Sequence, residues 1–170
     1  VKELPDDDPR KLTNMADFLY YFLKQVQDYY DYIIIDTQPT RDSLILSNAI
    51  AAADYVLIPM MCDAFSEDSA FRTYSICNEL RKNPNSHLRG IGVILTMVDK
   101  GAATRETRAE CKAELGSTLF KTEIPSALAV KTSVRKCVPV CYSAKSQPIG
   151  KSYVAAYKEL KERIAKMEEK

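Results

Sequence analysis

Short β-branched apolar runs separated by segments of helical period constrain this chain more than any other feature. Tyr32 to Asp36, Tyr55 to Met60, Gly90 to Met97 and Leu119 to Ile124 are each too short for a helix and read as buried strands. Between and around them, apolar residues recur every three or four positions. A first amphipathic helix carries Leu12, Met15, Leu19, Phe22, Leu23 and Val26, with acids and Pro9 suited to its first turn. A second runs through Leu44, Ile45, Asn48 and Ala49. A third, with Ser66 as its cap, carries Phe71, Tyr74 and Cys77, and a fourth is capped by Thr104 and ended by Gly116. The last, from Gly150 to Met167, aligns Tyr153, Tyr157, Leu160, Ile164 and Met167. Parallel pairing needs a crossover of about a dozen residues, which these helices supply. The expected fold is α/β, a mostly parallel sheet flanked by helices on both faces, in a single domain spanning residues 1–170.

Composition removes other classes. The five cysteines are odd in number and the one histidine has no Cys pair at ligand spacing, so neither a secreted disulfide framework nor structural zinc is expected. Apolar runs fall short of the roughly 20 residues that span a bilayer. Charge is segregated: residues 1–69 hold 13 acidic and 5 basic side chains, and residues 70–170 hold 19 basic and 10 acidic ones. No carboxylate lies between Glu123 and Glu159, where Lys131, Arg135, Lys136, Lys145, Lys151 and Lys158 cluster, a composition that suits a polyanionic partner. The tyrosines at 20, 21, 29, 30 and 32 read as core packing, His87 as part of an exposed turn, and Cys137 and Cys141 as packed thiols.

In open α/β sheets ligands bind beyond the carboxyl ends of the strands, here Asp36, Met60 to Asp63, Thr96 to Asp99, and Pro125 onward. Ile33-Ile34-Ile35-Asp36 has the form of a Walker B strand, whose Asp holds a magnesium–nucleotide complex. Four blocks carry a resemblance: Tyr30 to Thr40 (YDYIIIDTQPT), Ala51 to Pro59 (AAADYVLIP), Gly90 to Asp99 (GIGVILTMVD) and Phe120 to Pro125 (FKTEIP). In this order they closely resemble the ParA/Soj chromosome- and plasmid-partition ATPases, over roughly residues 28 to 165. The resemblance implies a deviant-Walker P-loop NTPase-like fold, an ATP-sandwiched homodimer, ATP and Mg²⁺ as cofactors, non-specific duplex DNA binding, a ParB-like centromere-binding partner, and a cytoplasmic, nucleoid-associated location. It assigns Asp36 to the metal, Thr37, Pro39 and Thr40 to the loop beside the γ-phosphate, and Thr96, Met97, Pro125 and Ser126 to an adenine-side wall.

The departures are as informative. The family's N-terminal Gly-rich loop with its lysines has no counterpart in these residues; Gly150-Lys151-Ser152 is the only similar string, and Lys145 stands where a P-loop needs its first Gly. The chain reads as the C-terminal part of such an ATPase, expected to bind no ATP and to hydrolyse none alone, because phosphoryl transfer relies on backbone amides and a Lys around the phosphates. Without the strand that feeds that loop, Tyr32–Asp36 and Tyr55–Met60 are expected to pair directly or to recruit a strand from a second copy. The family's arginines after Ile-Pro are Ser126 and Ala129 here; Lys131, Arg135 and Lys136, with Arg105 and Arg108, are the substitute DNA contacts. A rival reading is a non-enzymatic relative that acts through dimerisation and non-specific DNA binding. A membrane-binding last helix, as in MinD-like relatives, is disfavoured by its mixed charges and its Glu168-Glu169-Lys170 end.

Overall fold

The computed structural model describes residues 18–38, 44–83 and 86–169. These fall into two compact units, one comprising residues up to 56 with 77–89, the other residues 57–76 with the chain from 90 onward.

In the first unit, α1 (Phe18–Lys24) is followed by a 3₁₀ turn (Gln27–Tyr29) and packs on α2 (Leu44–Ala52). The Leu19 N–H donates to Asn48 Oδ1 at 3.4 Å, and Ala49 and Ile50 are the buried residues of α2. His87 is exposed, as its turn suggested, yet its ring stacks on Tyr20 with centroids 4.0 Å apart. The rest of the first amphipathic helix lies outside the described residues. Two expectations fail in this unit. Tyr32–Asp36 joins no β-ladder among the described residues, and Ile34 is 91% exposed. Tyr29, Tyr30 and Tyr32 are exposed rather than core. A β-branched run becomes a buried strand only when neighbouring strands satisfy its backbone and helices cover both faces. The sheet contains β1 and β2 alone, so the expected direct pairing of Tyr32–Asp36 with Tyr55–Met60 is not formed among the described residues.

Strand β1 (Tyr55–Met61) leads into α3 (Ala64–Lys82), and the second unit continues through β2 (Gly90–Thr96). β1 and β2 pair in a parallel sheet flanked by helices. Helix α3 begins two residues before Ser66, because Asp63 is the capping residue: its Oδ1 accepts the Ser66 N–H at 2.9 Å. That bond and the Ser66 hydroxyl hold the Asp63 carboxyl below its ordinary range. Helix α4 (Ala102–Leu115) likewise starts before Thr104, which is buried in its first turn and donates its hydroxyl to Asp99. Gly116 ends α4 as expected, at φ +51°, a conformation that a residue with a Cβ resists. Then come α5 (Leu128–Arg135), α6 (Val140–Ser143) and α7 (Pro148–Glu168).

The fourth strand expected over Leu119 to Ile124 is interrupted, and the hydrogen bonds show why. The Phe120 N–H donates to the Val93 carbonyl at 2.8 Å, but the next bond to β2 comes from Ile124, to Leu95, at 2.9 Å. A regular parallel ladder advances two residues on each strand per repeat; here one side advances two and the other four. The extra residues leave the Lys121 and Thr122 N–H groups without β2 partners. Glu159 of α7 accepts both, at 2.9 Å each. Arg163, one turn later, donates to the carbonyls of Ser117 at 2.8 Å and Leu119 at 2.7 Å, bonds Glu159 Oε1 at 2.9 Å, and lies over the Phe120 ring. The bulge is therefore tied to α7 by both backbone polarities. Beside it, Ile94, Phe120, Ile124, Val140, Ala144 and Ile149 form one core cluster.

Burial pushes the Glu159 carboxyl up, but the Lys121 and Thr122 amides and Arg163 outweigh it and hold the group below the ordinary range. A depressed folded value means that this stabilisation is complete above the unfolded glutamate value of about 4.3 and is lost as pH falls through the folded value. Replacement of Glu159 by Ala removes the acceptor of two amides and one of the partners of Arg163, and urea unfolding at pH 7 is expected to show a loss of about 2 kcal/mol. The difference between wild type and the variant should shrink as the pH is taken below 4.

Candidate functional site

The bulge sets the geometry of the carboxyl edge of the sheet in the second unit. After it, the Val98 N–H donates to the Ile124 carbonyl at 3.1 Å and the Ser126 N–H donates back to Val98 at 3.0 Å, so the segments 96–98 and 124–126 run side by side with Val98 opposite Pro125. All four residues assigned to an adenine-side wall are thus brought together. Thr96 is half-buried and its hydroxyl donates to the Met60 carbonyl at 3.3 Å, an internal use that ties β2 to β1. Met97 adopts φ +52° and is 62% exposed, one residue before the Val98–Pro125 pair, and Ser126, one residue after it, is exposed as well. An exposed, apolar and polarizable side chain at the carboxyl edge of a sheet suits one face of a flat heterocycle.

Asp36 and Thr37 lie in the first unit, Asp36 exposed and Thr37 half-buried; Pro39 and Thr40 lie outside the described residues. Among the described residues no group of three His, Cys, Asp or Glu side chains could hold a metal ion. Asp36 offers magnesium one carboxylate, which is in keeping with a metal that takes one or two carboxylates and otherwise phosphate and water. Nothing in the described residues supplies the phosphate cradle. Gly150-Lys151-Ser152 sits in the first turn of α7 behind Pro148, and a Cβ on Gly150 would lie 2.3 Å from the Ala144 carbonyl oxygen. That glycine serves close packing on α6, not anion binding. The residues described therefore do not make a complete magnesium–nucleotide site.

Of the proposed phosphate contacts, Lys131 and Arg135 are one turn apart on α5 and Lys136 follows at its C-terminus, all three exposed. None of the ion pairs found among the described residues involves them. Arg105 is exposed on α4. Arg108 is held elsewhere: its guanidinium forks onto Glu123, with bonds of 2.6 and 2.8 Å. That pair, which sequence inspection missed because its members are 15 residues apart, lies by the end of β1 close enough to act on Cys62. Burial raises the Cys62 thiol pKa and Glu123 adds to the rise, while Arg108 opposes it. Deeper in, burial pushes Cys111 up to about 12 and, in the first unit, Cys77 up to about 11. Cys137, expected to be packed, is exposed at φ +49°.

A family model described as an AAA domain matches residues 7–90. The chain is 34% identical over 106 residues to the sporulation initiation inhibitor protein Soj of Bacillus subtilis, covering 61% of this chain and 41% of that protein. It is 31% identical over 136 residues to the chromosome partitioning protein ParA of Myxococcus xanthus, covering 79% of this chain and 47% of the relative. The solved structure of apo McdA from Cyanthece superposes with a TM-score of 0.72 at 26% identity, over 86% of this chain and 59% of that one. This is a ParA-like chain. It spans about half the length or less of these two ParA and Soj relatives. The α/β fold with a parallel sheet, expected from the strand–helix alternation, is the fold observed, and its structural neighbours are ParA-like, as the resemblance implied.

The balance at Cys62 gives a direct test of the Arg108 placement. Removing the guanidinium in Arg108→Ala leaves burial and Glu123 unopposed, so the thiol pKa rises and alkylation at neutral pH slows. Peptide mapping of iodoacetamide labelling against pH should place the Cys62 midpoint higher in the variant, with Cys77 labelling unchanged.

Proposed function

We propose that this chain is part of a ParA/Soj-like ATPase that acts in chromosome or plasmid partitioning. The observation that carries the proposal is its sequence similarity to relatives named as chromosome-partitioning proteins, joined by its fold similarity to apo McdA. In the complete protein ATP and Mg²⁺ are the cofactors. Asp36 supplies a carboxylate to the metal; Thr37, Pro39 and Thr40 form the loop beside the terminal phosphate; and Thr96, Met97, Pro125 and Ser126 form one wall of the base pocket. The exposed cations Lys131, Arg135 and Lys136, joined by Arg105, contact the phosphates of duplex DNA without reading sequence, since phosphate neutralisation asks for charge rather than an exact register. Arg108 is a poorer candidate, because leaving Glu123 would cost it a bidentate pair.

Partition by such a protein takes place on the nucleoid with a ParB-like centromere-binding partner and a homodimer of the ATPase. No helix among the described residues is long and apolar enough to cross a membrane. With no phosphate cradle among the described residues, residues 1–170 alone are expected to turn ATP over at the background rate, and an Asp36-dependent ATPase activity of these residues would contradict that. The absence of a paired Walker B strand among the described residues gives some weight to the second reading, a non-enzymatic relative that works through dimerisation and DNA. Nucleotide binding by the longer polypeptide separates the two.

Binding of fluorescein-labelled duplexes of unrelated sequence at low salt tests the DNA contact. The combined variant Lys131→Glu, Arg135→Glu and Lys136→Glu should bind all duplexes more weakly, and the slope of log K against log salt should fall by about 1 for each phosphate left unneutralised. Wild-type affinity in that variant would reduce the cluster to a solvated face.

A further inference from the structure

Helix α7 has two faces, and only one has a partner among the described residues. Its inward face places Ile149, Glu159, Leu160 and Arg163 against the core and the bulge. About a third of a turn round the helix runs a second seam: Val154, Tyr157, Lys161, Ile164 and Glu168, at spacings of three, four, three and four. That is the spacing of a helix that packs along another helix. Val154 is 41% exposed and Tyr157 56%, with Tyr153 beside them at 40%, while Ile164 is half-buried at the seam's flank. Lys161 lies over the Tyr157 ring at 5.9 Å from its centroid.

The charges along α7 decide what fits this seam. Up to Lys158 the helix carries Lys151 and Lys158 and no carboxylate; beyond that point Glu162, Glu168 and Glu169 are its exposed acids, Glu159 being turned inward. A second α7 laid parallel would set Lys161 on Lys161 and Glu168 on Glu168. Laid antiparallel, with the twofold axis near residue 159, Val154 meets Ile164 of the second copy and Tyr157 meets its Lys161, both contacts made twice. The same register brings Glu168 to the start of the other helix, beside Lys151, where the helix dipole also favours a carboxylate. The seam is complementary to itself in one orientation only.

We propose that two copies of this chain associate through an antiparallel contact between their α7 helices, along Val154, Tyr157, Lys161 and Ile164, with Lys151 facing Glu168 at each end. The contact uses neither the carboxyl edge of the sheet nor any nucleotide. It is therefore independent of the partition reading and distinct from a dimer closed over ATP.

Sedimentation velocity of the 170-residue chain without nucleotide, over a concentration series, tests the contact. Concentration-dependent dimerisation is expected, weakened at least about tenfold by Val154→Glu. Lys151→Glu and Glu168→Lys should each weaken it, and the double variant carrying both should recover association, because the antiparallel register restores opposite charges at both ends. Both residues are exposed, so these variants are expected to keep the wild-type far-UV circular dichroism. A chain that stays monomeric up to its solubility limit, a dimer indifferent to Val154→Glu, or single reversals that the double variant does not rescue would overturn the proposal.

Discussion

The grip of Glu159 and Arg163 on the bulge after Leu119 is the interaction on which the second unit depends. Two residues too many run alongside β2 between Phe120 and Ile124, and their amides have no ladder to join. Lys121 is exposed, so water can answer its amide, but the half-buried Thr122 amide has less recourse, and an amide left unpaired away from water costs on the order of 1–3 kcal/mol. One carboxylate answers both amides and one guanidinium answers the carbonyls of Ser117 and Leu119. Because the anchoring groups sit on α7, the same contact fixes how that helix lies against the core of Phe120, Ile124 and Ile149.

The consequences reach the candidate site. The two-residue slip decides that Pro125 stands opposite Val98, and hence that Ser126 follows it at the sheet's carboxyl edge. Without the slip the turn after Ile124 would fall further along β2. The short loop into α4 is held from the other side, since Asp99 accepts both the Thr104 hydroxyl and the Gly101 N–H at 2.8 Å, bonds that keep its carboxyl below the ordinary range. A rigid frame of this kind positions a ligand at low entropic cost, whatever grips the rest of that ligand.

Charge is used in two ways. Acids that matter to the fold are consumed: Glu123 by Arg108, Glu159 by backbone and Arg163, Asp63 and Asp99 by helix starts. Lys131, Arg135 and Lys136 are left exposed to solvent. An exception is Glu67, whose carboxyl is raised by burial and by the neighbouring Glu110, although the Thr107 hydroxyl donates to it at 3.3 Å. Folding thus engages these acids internally while these three cations stay turned to solvent.

The sequence by itself determined the α/β class, β1, β2, α2, the Gly116 stop and the extent of α7, because hydrophobic period and turn residues are local signals. It also carried the ParA-like resemblance, which rests on strings of residues rather than on contacts. Tertiary structure decided what depends on a partner distant in the chain. Tyr32–Asp36 has every local mark of a buried strand and forms none, since a ladder needs a neighbour that its own residues do not specify. Asp63 rather than Ser66 caps α3, a difference of three residues that cap chemistry leaves open and loop geometry settles. Arg108 looks like a DNA contact until Glu123 is seen beside it, and Glu159 looks like one more surface acid on a charged helix until the bulge it closes is in view. Long-range pairing is set by the sum of all packing in the unit, and no stretch of sequence holds that sum.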